Sequence, residues 1–205
     1  YLNEFVYLLG YTGGASIYSE EASSLRVHWL RSRDGLQWSP VVPGQPVVLE
    51  GGVSETDFVF TESGGIVAVG RNEAGDTGGF GSRICRADVT SLGAWTCRDD
   101  PRKFDSPLVF RHGTKTYLIG RRNLTENGHY DVAGEGEVPQ RRLVNQARYW
   151  QTPKRCAVWT VDDETLDVEH VLDLPSGGDT CFASVLPVAR NQYLVYDYRS
   201  TAAPP

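Results

Sequence analysis

The chain has 205 residues, of which 40% are hydrophobic and 22% charged, an ordinary globular composition with enough length to bury a real core in one domain. No apolar run approaches the roughly 18 residues of a membrane span, and nothing resembles a signal peptide. A net charge of -6 and basic residues that form no stripe argue against a nucleic-acid partner.

Glu4 to Tyr11 reads as a strand and Thr12 to Ser24 as a Gly/Ser/Glu loop. Leu25 to Ser32 then alternates apolar and polar residues, as a half-buried strand does. It runs into a turn, Ser32-Arg33-Asp34-Gly35-Leu36-Gln37-Trp38, in which Asp34 is placed to bond backbone amides, Gly35 to take positive φ and Trp38 to pack back between strands. Val41 to Gly52 reads as a Pro/Gly connector. A four-strand unit follows: Asp57 to Thr61, Ile66 to Arg71, Ser82 to Val89 and Ala94 to Arg98. A second is Pro107 to Arg111, Thr116 to Arg121, Arg155 to Val161 and Val168 to Leu172. A third begins at Cys181 to Val188 and Tyr193 to Tyr198 and stops in Ala-Pro.

The run Tyr117-Leu118-Ile119-Gly120-Arg121 has near-copies in Tyr7-Leu8-Leu9-Gly10-Tyr11, Val67-Ala68-Val69-Gly70-Arg71 and Tyr193-Leu194-Val195-Tyr196-Asp197. Self-similarity at this spacing, with four strands per unit and no helical periodicity anywhere, indicates an all-β chain built as antiparallel β-propeller blades. About three to four blades are present, whereas closed propellers have about four to eight. The expectation is therefore a single domain over residues 1–205, part of a six-bladed or five-bladed propeller and incomplete at its N-terminus. The start on Tyr1 within a strand-like run, and the lack of any Met, fit a fragment or a processed chain.

The four cysteines contain no C-x2-C pair and so fit no zinc pattern. Disulfides Cys85 to Cys97 and Cys156 to Cys181 would fit an oxidising compartment, secreted or periplasmic; four reduced, buried thiols are the alternative. Asn123-Leu124-Thr125 is a glycosylation sequon, meaningful in a eukaryotic source.

Blade topology sorts the loops. Two long polar connections, Asn72 to Gly81 and Asn123 to Lys154, fall on the face where the innermost strands begin. The second is long enough for a lid or site wall, and Arg141, Arg142, Arg148, Tyr149 and Trp150 within it are candidate sugar contacts; a solvated insertion is the alternative. On the same face the innermost strands open on acids, Glu55 and Asp57, Asp105, and Asp179, while the second strands close on Arg71 and Arg121-Arg122. Carboxylates and arginines converging on an axis make a pocket able to hold an acidic sugar and to move protons. Glu55, Asp57, Asp105 and Asp179 are the catalytic candidates, and Arg71, Arg121, Arg155 and Tyr196 the binding ones; the alternative is that these acids and arginines brace blade to blade.

Ser32, Asp34, Gly35 and Trp38 resemble the Asp box of sialidase-type propellers, in the form with Gly directly after Asp. In that family the box is a folding device on the face opposite the active site. The stretch Glu55 to Arg71 is similar to the sialidase segment in which a Glu opening one strand precedes an Arg closing the next. The resemblance implies that Glu55 polarises a catalytic tyrosine, that Arg71 belongs to a triad holding the sialic-acid carboxylate, and that Arg155 is that triad's third arginine. Phe182 stands where the family has its nucleophilic tyrosine, and the catalytic acid and first arginine would lie upstream of Tyr1. The chain thus resembles a divergent sialidase-like, glycoside hydrolase-related propeller acting on or recognising glycans. A non-catalytic carbohydrate-binding propeller is one alternative. A five-bladed glycosidase using Asp57, Asp105 and Asp179 is another. The four histidines are scattered singly, and Gly75 to Gly79 lacks the lysine and helix of a phosphate loop, so no metal or cofactor is expected.

Overall fold

The computed structural model describes residues 4–13 and 24–200. The expected Thr12 to Ser24 loop and the Ala-Pro end lie almost wholly outside them.

The described strands form successive antiparallel sheets, the blades of a partial propeller. In the first, β1 (Val6–Thr12) pairs with β2 (Leu25–Ser32), whose other edge is shared by β3 (Ser39–Pro40) and β4 (Val47–Gly51). The second runs in order β5 (Thr56–Phe60), β6 (Ile66–Asp76), β7 (Gly79–Ala87) and β8 (Thr96–Asp100). The third runs β9 (Leu108–His112), β10 (Lys115–Asn123), β11 (Lys154–Val161) and β12 (Val168–Asp173). The last is a hairpin of β13 (Ser184–Ala189) and β14 (Gln192–Tyr196).

Three hydrophobic clusters lie between neighbouring blades, and a fourth packs Phe80 against Tyr130, Val138 and Tyr149 of the Asn123 to Lys154 segment. Trp29, Ile66, Ala68 and Cys85 pack the first blade on the second, and Val67, Val69, Ile84, Leu118 and Trp159 pack the second on the third. Ile119, Cys156 and Cys181 gather against Val158 and Val185 between the third and fourth. Alternate residues of β6 therefore face different neighbours, which is why a strand buried on both sides reads as a continuous apolar run rather than an alternating one.

Both disulfides form. Cys85 and Cys97 are direct partners across β7 and β8, and Cys156 on β11 is joined to Cys181, which precedes β13. In the Ser32 to Trp38 turn, Asp34 accepts from the amides of Leu36 and Gln37, each at 2.9 Å, and Gly35 has φ +74°. Trp38 does not pack between strands: it stays exposed, its indole N–H donating to the Gly35 carbonyl.

Three further expectations are corrected. The Val41 to Gly52 connector contains β4, because Val47-Val48-Leu49 can pair with β2. The Asn72 to Gly81 loop is mostly strand, since β6 and β7 continue past a bulge to a tight turn at Asp76–Gly79. The Asn123 to Lys154 segment holds a helix, α1 (Val138–Gln151), so helix is not absent from the chain. Pro139 sits in its first turn, where a missing N–H costs nothing. Its inward face is Arg142, Asn145, Gln146 and Tyr149, a helical spacing written in polar residues that a search for apolar periodicity passes over. The sequon asparagine, Asn123, is buried at the end of β10.

Candidate active site

Several chain segments meet where the inner strands begin. Arg71, within β6, puts Nη1 3.0 Å from Glu55 Oε2 and Nε 2.8 Å from Asp105 Oδ1, and its Nη2 contacts Glu73. Lys103 lies fully buried beside them, Nζ 2.9 Å from Glu73 Oε1 and 3.4 Å from Asp105 Oδ1. Arg121, within β10, extends this network into the next blade: Nη1 is 3.3 Å from Asp105 Oδ2 and Nη2 is 3.0 Å from Asp179 Oδ1. Its Nε and Nη2 also donate to the Thr180 carbonyl. Tyr149 of α1 closes the group, its hydroxyl accepting from Arg121 Nη1 at 2.9 Å and donating to Asp105 Oδ2.

Burial works against the Arg71 cation, but Asp105, Glu73 and Glu55 outweigh it and hold the guanidinium above its usual range. Burial pushes the Lys103 ammonium down, against the pull of Asp105, with Arg71 adding to the depression. Burial also brings Lys154 down to about 8, with Arg121 reinforcing the shift and Asp105 opposing it. The backbone carries strain at the same place: Ser106 and Cys181, both non-glycine, take φ of +45° and +80° just after the acids that open the inner strands.

These groups form the floor of a cleft of about 800 Å³ lined by Arg71, Asp105, Arg121 and Tyr149, with Lys154, Arg155 and Asp179 nearer its mouth. Its walls carry aromatic surface. Trp150 is 66% exposed and Phe182 55% exposed, and Phe182 stacks on Tyr198, whose hydroxyl donates to Asp179 Oδ2 at 3.2 Å. An exposed aromatic face beside hydrogen-bonding groups is a surface on which a ring with an apolar face can rest.

The structure brings together six of the eight sequence candidates: Glu55, Asp105, Asp179, Arg71, Arg121 and Arg155. Arg155 lines the cleft and, among the described residues, has no ion-pair partner. Glu55 joins them through Arg71 and the Ser106 amide without lining the cleft, and the other two candidates lie apart from the group. Asp57 accepts the Val109 amide at 2.6 Å, joining β5 to β9 between blades, and burial raises its pKa to about 6 against the pull of the Val109 and Phe58 amides. Tyr196 is an exposed residue on β14. Of the insertion's candidates, Tyr149 and Trp150 reach the cleft, whereas Arg141 pairs with Asp131 and Arg142 donates to the Ala74 carbonyl. Sequence reasoning missed Glu73, Lys103 and Lys154; the only signal for Lys103 was its place two residues before Asp105, on the same inner-strand approach. Among the described residues no cluster of three or more His, Cys, Asp or Glu side chains could hold a metal, and no helix is long and apolar enough to cross a membrane.

No family model and no curated protein matches this sequence. Among solved structures, the chain is similar to a Bombyx mori GH32 beta-fructofuranosidase, BmSUC1, at 13% identity and a TM-score of 0.50, over 90% of this chain and 38% of that one. A phage phi92 endosialidase (10% identity, TM-score 0.47) matches over 83% of this chain and 24% of its own. A protein of unknown function from Dyadobacter fermentans (12% identity, TM-score 0.49) matches over 90% and 56%. The chain therefore spans well under two thirds of each. At 13% identity the likeness to BmSUC1 concerns the fold alone, and it agrees with the partial propeller that the sheets form.

Proposed function

We propose that the cleft takes a glycan and that the chain is part of a sialidase-like, glycoside hydrolase-related propeller in which Asp105 and Asp179 are the working carboxylates. The observation that carries this reading is their common partner. Both contact terminal nitrogens of the Arg121 guanidinium, which holds the contacting oxygens no more than roughly 9 Å apart, below the upper limit of about 9.5 Å for paired glycosidase carboxyls. Asp179, at the mouth and largely exposed, is placed to exchange a proton with a leaving group. Asp105, at the floor and faced by Arg71, Lys103 and Arg121, is placed to stabilise positive charge at an anomeric carbon. Arg155 supplies an unpaired cation for a sugar carboxylate, and Trp150 and Phe182 supply apolar faces for the ring. The two disulfides fit a secreted or periplasmic protein.

A second reading, a carbohydrate-binding propeller without turnover, is favoured by a different observation. Glu55 and Asp105 are already engaged with Arg71, and Phe182, where the resemblance expects a nucleophilic tyrosine, has no hydroxyl. Hydrolysis of a fluorogenic sialoside and a panel of neutral glycosides separates the two. Asp179→Asn is expected to lower turnover by about 10² to 10⁴ with glycan binding retained. Glycan binding with no cleavage by the parent chain would establish the second reading. Cleavage undiminished in both Asp179→Asn and Asp105→Asn would overturn the assignment of these carboxylates.

A further inference from the structure

The cleft contains an amine that the carboxylate chemistry leaves unused. Lys154 opens β11 on the cleft wall, its Nζ donating to the Thr152 carbonyl at 2.7 Å and lying 4.2 Å from the centre of the Tyr149 ring. Among the described residues it has no carboxylate within ion-pairing distance. The charged groups facing it come from several elements: Arg121 on β10, Asp105 and Lys103 from the approach to β9, and Asp179 from the approach to β13. Arg121 and Lys103 are both cations, so a proton on Lys154 is opposed by like charge as well as by burial. Tyr149 adds a ring that the ammonium form can face.

We infer that Lys154 is a nucleophilic amine that captures carbonyl compounds bearing a carboxylate, the class of α-keto acids and keto-sugar acids. The amine must be unprotonated to attack, and a lysine that is half-buried beside another cation is the arrangement that keeps a useful fraction so near neutral pH. The depressed value near 8 agrees with that arrangement. The preference for a carboxylate comes from Arg155, the next residue, which is exposed on the same cleft and unpaired. The chemistry balances without an oxidant or reductant. The Nζ lone pair attacks the carbonyl carbon to give a carbinolamine, the nitrogen loses its proton, and water leaves to form the imine. This inference holds whether or not the cleft cleaves a glycoside.

The chain has only three lysines, which makes the test clean. Lys103 is buried in the ion-pair network, Lys115 is exposed on β10, and Lys154 lies in the cleft. The chain is incubated with pyruvate and sodium cyanoborohydride at several pH values, and the reduced adduct is located by peptide mapping. Lys154 is expected to label at least about ten-fold faster than Lys115 at pH 8, given that an ordinary lysine with a pKa near 10.4 is almost wholly protonated there. Its rate should rise with pH to a plateau with a midpoint near 8. Arg155→Ala should slow labelling by pyruvate several-fold while leaving labelling by acetone unchanged. Lys154→Arg keeps a cation over Tyr149, so it should fold with the parent's near-ultraviolet dichroism and lose the fast label. Equal rates at Lys154 and Lys115 would overturn the nucleophile, and equal rates for pyruvate and acetone at Lys154 would overturn the carboxylate selectivity.

Discussion

The most demanding consequence of this fold is that Lys103, a cation with no access to solvent, holds two blades together. Its Nζ is 2.9 Å from Glu73 and 3.4 Å from Asp105, and all three side chains are buried. Lys103→Met keeps an unbranched side chain in the site but removes the ammonium that lies over the Tyr130 and Tyr149 rings. Glu73 then keeps Arg71, and Asp105 keeps Arg71, Arg121 and the Tyr149 hydroxyl, with one buried positive charge fewer among them. Removing one partner of a buried ion pair costs about 3 to 5 kcal/mol, far more than the pair contributes relative to an apolar replacement, because the surviving charge is uncompensated. For a chain of this size, where each kcal/mol moves Tm by about 2 to 4 °C, the expected fall is roughly 6 to 20 °C. Adding Glu73→Gln removes the stranded charge, so Lys103→Met/Glu73→Gln should recover at least about 2 kcal/mol of the loss. Urea unfolding followed by circular dichroism on both single variants, the double variant and the parent closes the cycle. Single losses that add in the double variant to within about 0.5 kcal/mol would refute the reasoning, since independent sites behave that way and coupled ones do not.

Asp57 gives a pH test of opposite sense to an ordinary ion-paired carboxylate. Its pKa in the fold, about 6, lies above the ordinary 3.8, so the folded state keeps a proton that the unfolded state releases, and stability falls as pH rises between those values. Asp57→Asn keeps an acceptor for the Val109 amide and removes the charge. It is expected to raise stability by about 1 to 2 kcal/mol at pH 7, a figure reduced for partial exposure of the group, and to change little at pH 4; urea midpoints at the two pH values measure it, and a loss at pH 7 would show that the charged form is the stabilising one. The disulfides should separate by place. Cys156→Ala/Cys181→Ala unties β11 from the segment that carries Asp179 into the cleft, so it should lower stability by about 2 to 4 kcal/mol and weaken glycan binding. Cys85→Ala/Cys97→Ala lies within one blade and should lower stability with binding retained, as thermal melts beside a binding assay would show.

Much of the fold is legible in the residues because the physics that makes a blade is local. A run such as Ile66 to Gly70 is apolar at every position because both faces of β6 meet other blades, and polar residues begin at Arg71, where the strand runs on beyond the packed core to Asp76. The same reasoning finds the site, since residues at the start of inner strands and the end of second strands must share a face; Asp105, Arg71 and Arg121 meet for that reason. It fails where one residue type serves two ends. Asp57 has the composition and position of a site acid, yet it lies within β5 and spends its carboxylate on a neighbouring backbone amide. It also fails for Lys103, whose partner Glu73 is thirty residues away and paired only through the fold.

Helix α1 shows why the insertion is a fixed wall and not merely a long loop. Its inward face is mostly polar, with only Val138 and Tyr149 packing on Phe80 and Tyr130, and a helix of 14 residues is marginal without tertiary contacts. Beside that small apolar cluster, a set of directed bonds fixes its position. Arg142 donates to the Ala74 carbonyl on β6, Asn145 accepts the Val132 amide, Gln146 accepts the Tyr130 hydroxyl, and Arg141 pairs with Asp131, which itself accepts the Phe80 amide of β7. Buried polar groups are expensive when unpaired, so each of these bonds penalises any other placement of the helix. The last turn then carries Tyr149 to Asp105 and Arg121, and Trp150 to the cleft mouth. The second and third blades thus specify the position of a segment that belongs to neither, and a ligand entering the cleft meets a wall already built.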